Sequence, residues 1–213
     1  MSEDFALRLF LVRHGKIVKK QGHLPDYDAP LQAEQTELEA LAPNLQEWVS
    51  GGADWHISPL LRAKQSFDII APNSAKPRID DRLEEQNFGR WHGQSIDKVW
   101  QEITTIQPLN HPTSFVNHST LPPEGTSFDD IYQKAGDFLS DIISQRPAIP
   151  QIIISHSGMT RALLGQMMGL PAAQSMMLTV AHGSISCADY IWQNEMPEDV
   201  IPWQIHYCNR LYG

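Results

Sequence analysis

Two arginines and two histidines of this 213-residue chain stand just beyond short apolar runs. Arg13 and His14 follow Leu7–Val12, Arg62 comes soon after Trp55–Ile57, and His156 follows Ile152–Ile154. Together they are what phosphoryl transfer asks for. A phosphate monoester spreads charge over three equatorial oxygens as it reacts, and planar guanidinium forks bind such oxygens in pairs where lysine offers only a point charge. Arg13 and Arg62 are therefore expected to bind phosphate. A neutral imidazole has a nitrogen lone pair available near pH 7, which makes His14 the expected nucleophile, and His156 can donate a hydrogen bond to the group in transfer. Arg62 is expected in the first turn of a helix, where a cation opposes the macrodipole and a bound anion would remove the conflict. His156, just ahead of another expected helix, is placed likewise. The acid for the leaving alcohol is less sharply marked. Glu84 and Glu85 adjoin in RLEEQNFGRWHG. A carboxyl beside a phosphate has its charged form disfavoured, so it can protonate the alcohol and afterwards activate water.

For these residues to meet, the chain between them must form elements that bring them to one place. LRLFLV, at residues 7–12, reads as a strand buried on both faces, and Ile152–Ile154 as a second. Thr36–Val49 has helical spacing, with Leu38, Leu41, Leu45 and Trp48 along one side. Ser58-Pro59 is expected to cap and open a helix whose apolar face is Leu60, Ala63, Phe67 and Ile70. Further helices are expected over Ile96–Ile106, from Ser127-Phe128-Asp129-Asp130 to about Ser144, and over Met159–Met168, the last ending at Gly169. Ser184–Ile191 and Trp203–Tyr207 read as late strands. Strands alternating with helices predict an α/β sandwich around a largely parallel sheet, in which ligands collect at the carboxyl ends of the strands. The stretch of about 72–123, rich in Pro, Asn, His and Thr, is expected to be a helical and irregular insertion over the site. It is read as part of a single domain spanning 1–213.

Composition narrows the partners. Sixteen basic residues against twenty-five acidic ones give a formal net charge of -9. That balance is poorly suited to nucleic acid or to an anionic membrane surface, so no nucleic-acid or membrane partner is expected. An anionic small molecule must be caught by a local group of cations against the global field. Cys187 and Cys208 form no CxxC pair, and the acidic start, with Glu3 and Asp4, is unlike a signal peptide; both point to a cytoplasmic protein. His111 and His118 match no compact ligand spacing, so no metal is expected. Arg161 is assigned to its helix or the sheet edge. His182, before Gly183-Ser184, is a further residue that a late loop could bring toward the pocket.

Five blocks in order then resemble the histidine phosphatase superfamily, the group that includes the cofactor-dependent phosphoglycerate mutases. They are LFLVRHG at 9–15, SPLLRAKQSFDII at 58–70, RLEEQNFGRWHG at 82–93, PPEGTSFDDI at 122–131 and ISHSGMTRALLGQMMGL at 154–170. The resemblance implies a three-layer α/β/α sandwich around a mostly parallel mixed sheet, a phosphohistidine on His14, and no metal or other cofactor. It also selects Glu85 over Glu84 as the acid, by its spacing to Phe88-Gly89. Size and layout are most similar to the alpha-ribazole phosphatases within that family, which implies hydrolysis of a small phosphomonoester. Phosphoryl transfer of the mutase kind and a non-catalytic phosphate-binding module are the competing readings. The chain departs from the family after its first motif. Ile17 and Lys20 stand where Thr and Asn are usual, and His92 stands where Glu is common. Lys20 is thus a possible substrate-side cation in place of the asparagine.

Overall fold

The computed structural model describes residues 6–106, 117–192 and 201–213. Strand β1 (Ala6–Arg13) lies inside a six-stranded sheet of order β3-β2-β4-β1-β5-β6. Its neighbour β4 (Gln151–Ser155) runs parallel to it, with Arg13 opposite Ser155. Parallel pairing continues through β2 (Asp54–Ile57) to β3 (Pro77–Ile79). On the other side β5 (Ile185–Ile191) is antiparallel to β1, and β6 (Trp203–Arg210) is antiparallel to β5. The sheet is therefore mixed and mostly parallel. The carboxyl ends of β1, β2 and β4 open onto one rim.

Alternation along β1 creates the two outer layers. Leu7, Leu9 and Leu11 join Ile153 and Ala188 on one face, against α4 (Phe128–Gln145) and α5 (Ser157–Met167). Phe10 and Val12 join Ile152, Ile154 and Ile57 on the other, against α1 (Thr36–Trp48) and α2 (Leu61–Ile70). Strands covered on both sides need apolar residues at successive positions, which is why LRLFLV and IIIS carry no polar alternation. Each fully buried leucine or isoleucine here contributes roughly 1.5–3 kcal/mol relative to exposure. Helix α4 opens with a capping box: the Ser127 hydroxyl accepts from Asp130 N, and the Asp130 carboxylate accepts from Ser127 N at 2.7 Å.

A third, smaller cluster sits over the rim. Trp91, Val99 and Ile103 pack with Leu24 and Phe88, uniting a short 3₁₀ turn at Gly89–Trp91 with α3 (Ile96–Ile106). The expected insertion over the site starts later than its boundary near residue 72, because β3 belongs to the main sheet. That strand was invisible to periodicity: its three residues are all exposed, and its proline is tolerable only on an edge. Helix α2 begins at Leu61, two residues beyond the expected Pro59, and its N-cap Leu60 offers no side-chain bond. Asp28 supplies the missing acceptor from a distant loop, taking Leu61 N at 2.6 Å. A short helix, α6 (Ala172–Ser175), follows α5. His118 bonds Asp129 at the start of α4, whereas His111 lies outside the described residues. Among the described residues no helix is long and apolar enough to cross a membrane.

Leu9 is fully buried at a distance from the rim. Leu9→Ala is expected to lower unfolding free energy by about 2–5 kcal/mol. Ser127→Ala, which removes one half of the capping box, is expected to cost about 0.5–2 kcal/mol. Chemical denaturation of both variants checks these values.

Candidate active site

The rim brings His14, Arg13, Arg62, His156, Glu85 and His182 together. His14 leaves the end of β1 with its backbone N–H donating to Ser155 O at 2.9 Å and its carbonyl accepting from Gly183 N at 3.1 Å. The imidazole is 2 % exposed. Its Nδ1 contacts the carbonyl of Gly15 at 2.7 Å. A carbonyl only accepts, so Nδ1 carries the hydrogen and the lone pair resides on Nε2. Burial holds the ring's pKa well below its usual value, and the charges of Arg62 and Arg13 push the same way. His14 is thus neutral at physiological pH. Gly15 is required by crowding. A Cβ there would lie 1.9 Å from Gln35 Oε1 and 2.8 Å from Leu38 Cδ1.

Two guanidiniums flank the ring. Arg13 donates through Nη1 to the Val180 carbonyl and through Nη2 to His182 Nε2 at 2.8 Å. Its Nε is buried with no partner among the described residues. Burial brings its pKa down to about 10; Glu85 opposes the shift while Arg161 and Arg62 add to it. It stays protonated at neutral pH. Arg62, 5 % exposed in the first turn of α2, donates through Nη1 to Tyr27 O at 2.6 Å and through Nε to His156 Nδ1 at 3.1 Å. Both arginines are therefore held by neutral acceptors, and among the described residues no carboxylate is hydrogen-bonded to either.

His156 is fully buried, and both ring nitrogens are engaged. Nδ1 accepts from Arg62, so Nε2 bears the hydrogen and donates it to Ser58 Oγ at 2.7 Å. Its pKa is held well below the usual value by burial and then by His14, Arg62 and Arg13. In this arrangement the ring orients Arg62, and the Nε2 hydrogen expected for a phosphate group is donated to Ser58 Oγ. His182 stands edge-on to His14 at 5.4 Å between ring centroids. Burial, Arg13, Lys19 and Lys16 depress its pKa to about 4, so it too is neutral. The lysines whose charge reaches this loop are Lys19 and Lys16; Lys20 is exposed.

The two adjacent glutamates part company. Glu84 is hydrogen-bonded to the Tyr27 hydroxyl, whose pKa burial and Glu84 raise to about 12. Glu85 instead turns to the start of α5, accepting from Gly158 N at 3.0 Å, and its charge acts on Arg13 and Arg62. Gly158 permits this approach, since a Cβ there would come within 2.3 Å of Glu85 Oε1. His92 is a strut: Phe88 N donates to its Nε2 at 2.9 Å, and its Nδ1 meets Pro25 O at 3.0 Å. Ile17 is 7 % exposed and bridges Leu31, so both departures from the family pattern serve the scaffold.

Arg161 was not among the residues expected here. It lines a cavity of about 260 Å³ with Glu85 and Gly158, and its charge acts on Arg13. Its signal was the helical spacing from Gly158, which places it one turn further along the same α5 face. Among the described residues, one cluster could bring three donors to a common ion, namely Cys187, Asp189 and His206. It lies toward the amino end of β1, away from His14, and Asp189 there already accepts two hydrogen bonds from Arg8.

An uncharged, buried imidazole between two rigid arginines, at the carboxyl ends of a parallel sheet, is an arrangement suited to a phosphoryl group. The family model of the histidine phosphatase superfamily (branch 1) matches residues 9–195, and the chain belongs to that family. It is accordingly a phosphatase of the histidine type. The adenosylcobalamin/alpha-ribazole phosphatase of Escherichia coli K12 is 24 % identical over 193 residues, covering 86 % of this chain and 90 % of the relative. The fold is shared with a mycobacterial glucosyl-3-phosphoglycerate phosphatase, at TM-score 0.76 and 20 % identity over 96 % of this chain and 99 % of that one. A putative alpha-ribazole-5'-P phosphatase from E. coli superposes at TM-score 0.74 with 22 % identity, covering 96 % of each chain.

The depressed histidines couple folding to pH. His14, His156 and His182 are neutral when folded. In the unfolded chain they take up protons below about pH 6.5, so the unfolded state binds more protons there and stability rises with pH. The unliganded protein is expected to lose melting temperature as pH falls from about 7 to about 5. Imidazole ¹⁵N shifts at pH 7 are expected to show His14 neutral with its hydrogen on Nδ1.

Proposed function

We propose that the chain hydrolyses a small phosphomonoester through a phosphohistidine at Nε2 of His14. The observation that carries this reading is the fixed tautomer of His14: its Nδ1 hydrogen is held by Gly15 O at 2.7 Å, and its low pKa leaves Nε2 unprotonated. In the first step Nε2 attacks phosphorus in line while the bond from phosphorus to the alcohol oxygen breaks. Glu85 gives its proton to that oxygen, and the alcohol departs. The phosphorylated imidazole becomes cationic, and the Gly15 carbonyl on Nδ1–H stabilises it. In the second step water attacks phosphorus, Glu85 takes back a proton, and phosphate leaves with His14 neutral again.

Arg13 and Arg62 are assigned to the equatorial oxygens, with the unpartnered Nε of Arg13 as a donor in reserve. His156 sets the plane of the Arg62 guanidinium. The concentration of positive charge around His14 disfavours a divalent cation there, which supports chemistry without a metal. The E. coli relative makes alpha-ribazole 5'-phosphate one substrate to assay first, and the mycobacterial fold neighbour makes glucosyl-3-phosphoglycerate another.

His14→Ala is expected to abolish release of phosphate from 4-nitrophenyl phosphate, with no base-stable, acid-labile phosphoprotein trapped after rapid quenching. Robust turnover by this variant would overturn the covalent route. Glu85→Gln is expected to lower kcat/KM by about 10²–10⁴ for an alkyl phosphate and by less for the nitrophenyl ester, whose leaving group needs no proton. Gly158→Ala is expected to resemble it, because the new methyl displaces the Glu85 carboxylate. Activity is expected to withstand chelators, and phosphoglycerate is expected to give free phosphate without isomerisation.

A further inference from the structure

Among the described residues, the cavity beside Glu85 joins site residues to apolar surface. Glu85, Gly158 and Arg161 form one side. Phe88, Trp91 and Phe128, with Leu24, Val99 and Met176, form most of the rest, and Gln86 and Ser157 complete the lining. The proton of Glu85 must reach the leaving oxygen, so whatever the oxygen is attached to lies on this side of the carboxyl. About 260 Å³ is a little below the ~300–1,000 Å³ common to small-molecule sites, which is room for one or two rings. Three aromatic and three aliphatic or thioether side chains favour a flat, largely apolar body over a polyhydroxylated one, most of whose hydroxyls would lose water without gaining partners.

Arg161 adds a charge that the phosphate does not use. Its Nε donates to Leu178 O at 2.7 Å, which fixes the side chain, and among the described residues it forms no ion pair. Arg13, Arg62 and Arg161 bring three positive charges to the rim, while a phosphomonoester brings nearly two negative ones. Glu85 must be protonated to act as the acid and then contributes none. Asp28 acts on Arg62 at the far side of the rim, whereas Arg161 is the cation on the cavity wall and its side-chain bond goes to a neutral carbonyl.

We infer that the cavity receives the alcohol half of the substrate and that this alcohol is an apolar, ring-bearing body carrying an acidic group bound by Arg161. The inference rests on the hydrolytic reading above and names its substrate class.

Phosphonates test it, because their carbon–phosphorus bond is not hydrolysed and binding is read whether or not the protein turns over. Calorimetry on the full chain compares methylphosphonate, benzylphosphonate, and benzylphosphonates bearing a 3- or 4-carboxylate or the matching neutral carboxamide. Benzylphosphonate is expected to bind at least tenfold more tightly than methylphosphonate, and Met176→Trp, which fills the cavity, is expected to shrink that ratio. The better carboxylate is expected to exceed its carboxamide by about tenfold, and Arg161→Gln to bring the two level. A benzyl group that gains nothing over methyl overturns the assignment of the cavity. A carboxylate preference that is absent, or that survives Arg161→Gln, overturns the acidic group. Circular dichroism checks the variants, and if either misfolds the wild-type ratios decide alone. Failure of these ratios with phosphohistidine trapping intact leaves the hydrolytic reading standing; intact ratios without turnover overturn that reading instead.

Discussion

A buried imidazole between two guanidiniums takes up no second proton at neutral pH, and the rest of the rim is organised around keeping His14 in that state. Burial disfavours the charged ring, and the adjacent cations add to the effect. A histidine in water would be partly protonated and free to rotate. Here its backbone is hydrogen-bonded to β4 on one side and to Gly183 on the other, so the position of the ring is set by the sheet itself.

Holding cations in a dry site without directly bonded carboxylates is costly, and the protein limits the cost in a consistent way. Main-chain carbonyls of Val180 and Tyr27 and the ring nitrogens of His182 and His156 accept from the arginines, so every one of those partners is neutral. Neutral acceptors fix direction without cancelling charge. A carboxylate in the same place would have stabilised the empty site and weakened its hold on an anion. The overall charge of -9 makes the contrast sharper: the attraction is local.

Much of this was legible in the sequence because the apolar runs before Arg13 and His156 leave few alternatives to buried parallel strands. The residues just beyond such runs must come to one rim. What was hidden depended on partners far apart in the chain. Strand β3 has no apolar pattern, since an exposed edge asks for none. The start of α2 shifted because Ser58 turns to His156 and Asp28 caps the helix from a loop about thirty residues earlier. Glu84 and Glu85 could not be told apart by type, only by the spacing of the family resemblance; in the structure Tyr27 and Gly158 separate them. Arg161 looked like an ordinary helix cation because a cavity wall has no signature in one dimension.

The loop around residues 25–28 joins parts that look independent. The Pro25 carbonyl meets His92, Tyr27 accepts from Arg62 while its ring lies 5.2 Å from that of His92, and Asp28 caps α2. One short segment therefore clasps the small apolar cluster over the rim to the arginine beneath it. Its bonds share a backbone of four residues, so losing one loosens the others, and the segment opens as a cooperative unit. Arg62 and the cover above it consequently share one local stability: amide protection in this loop reports on both.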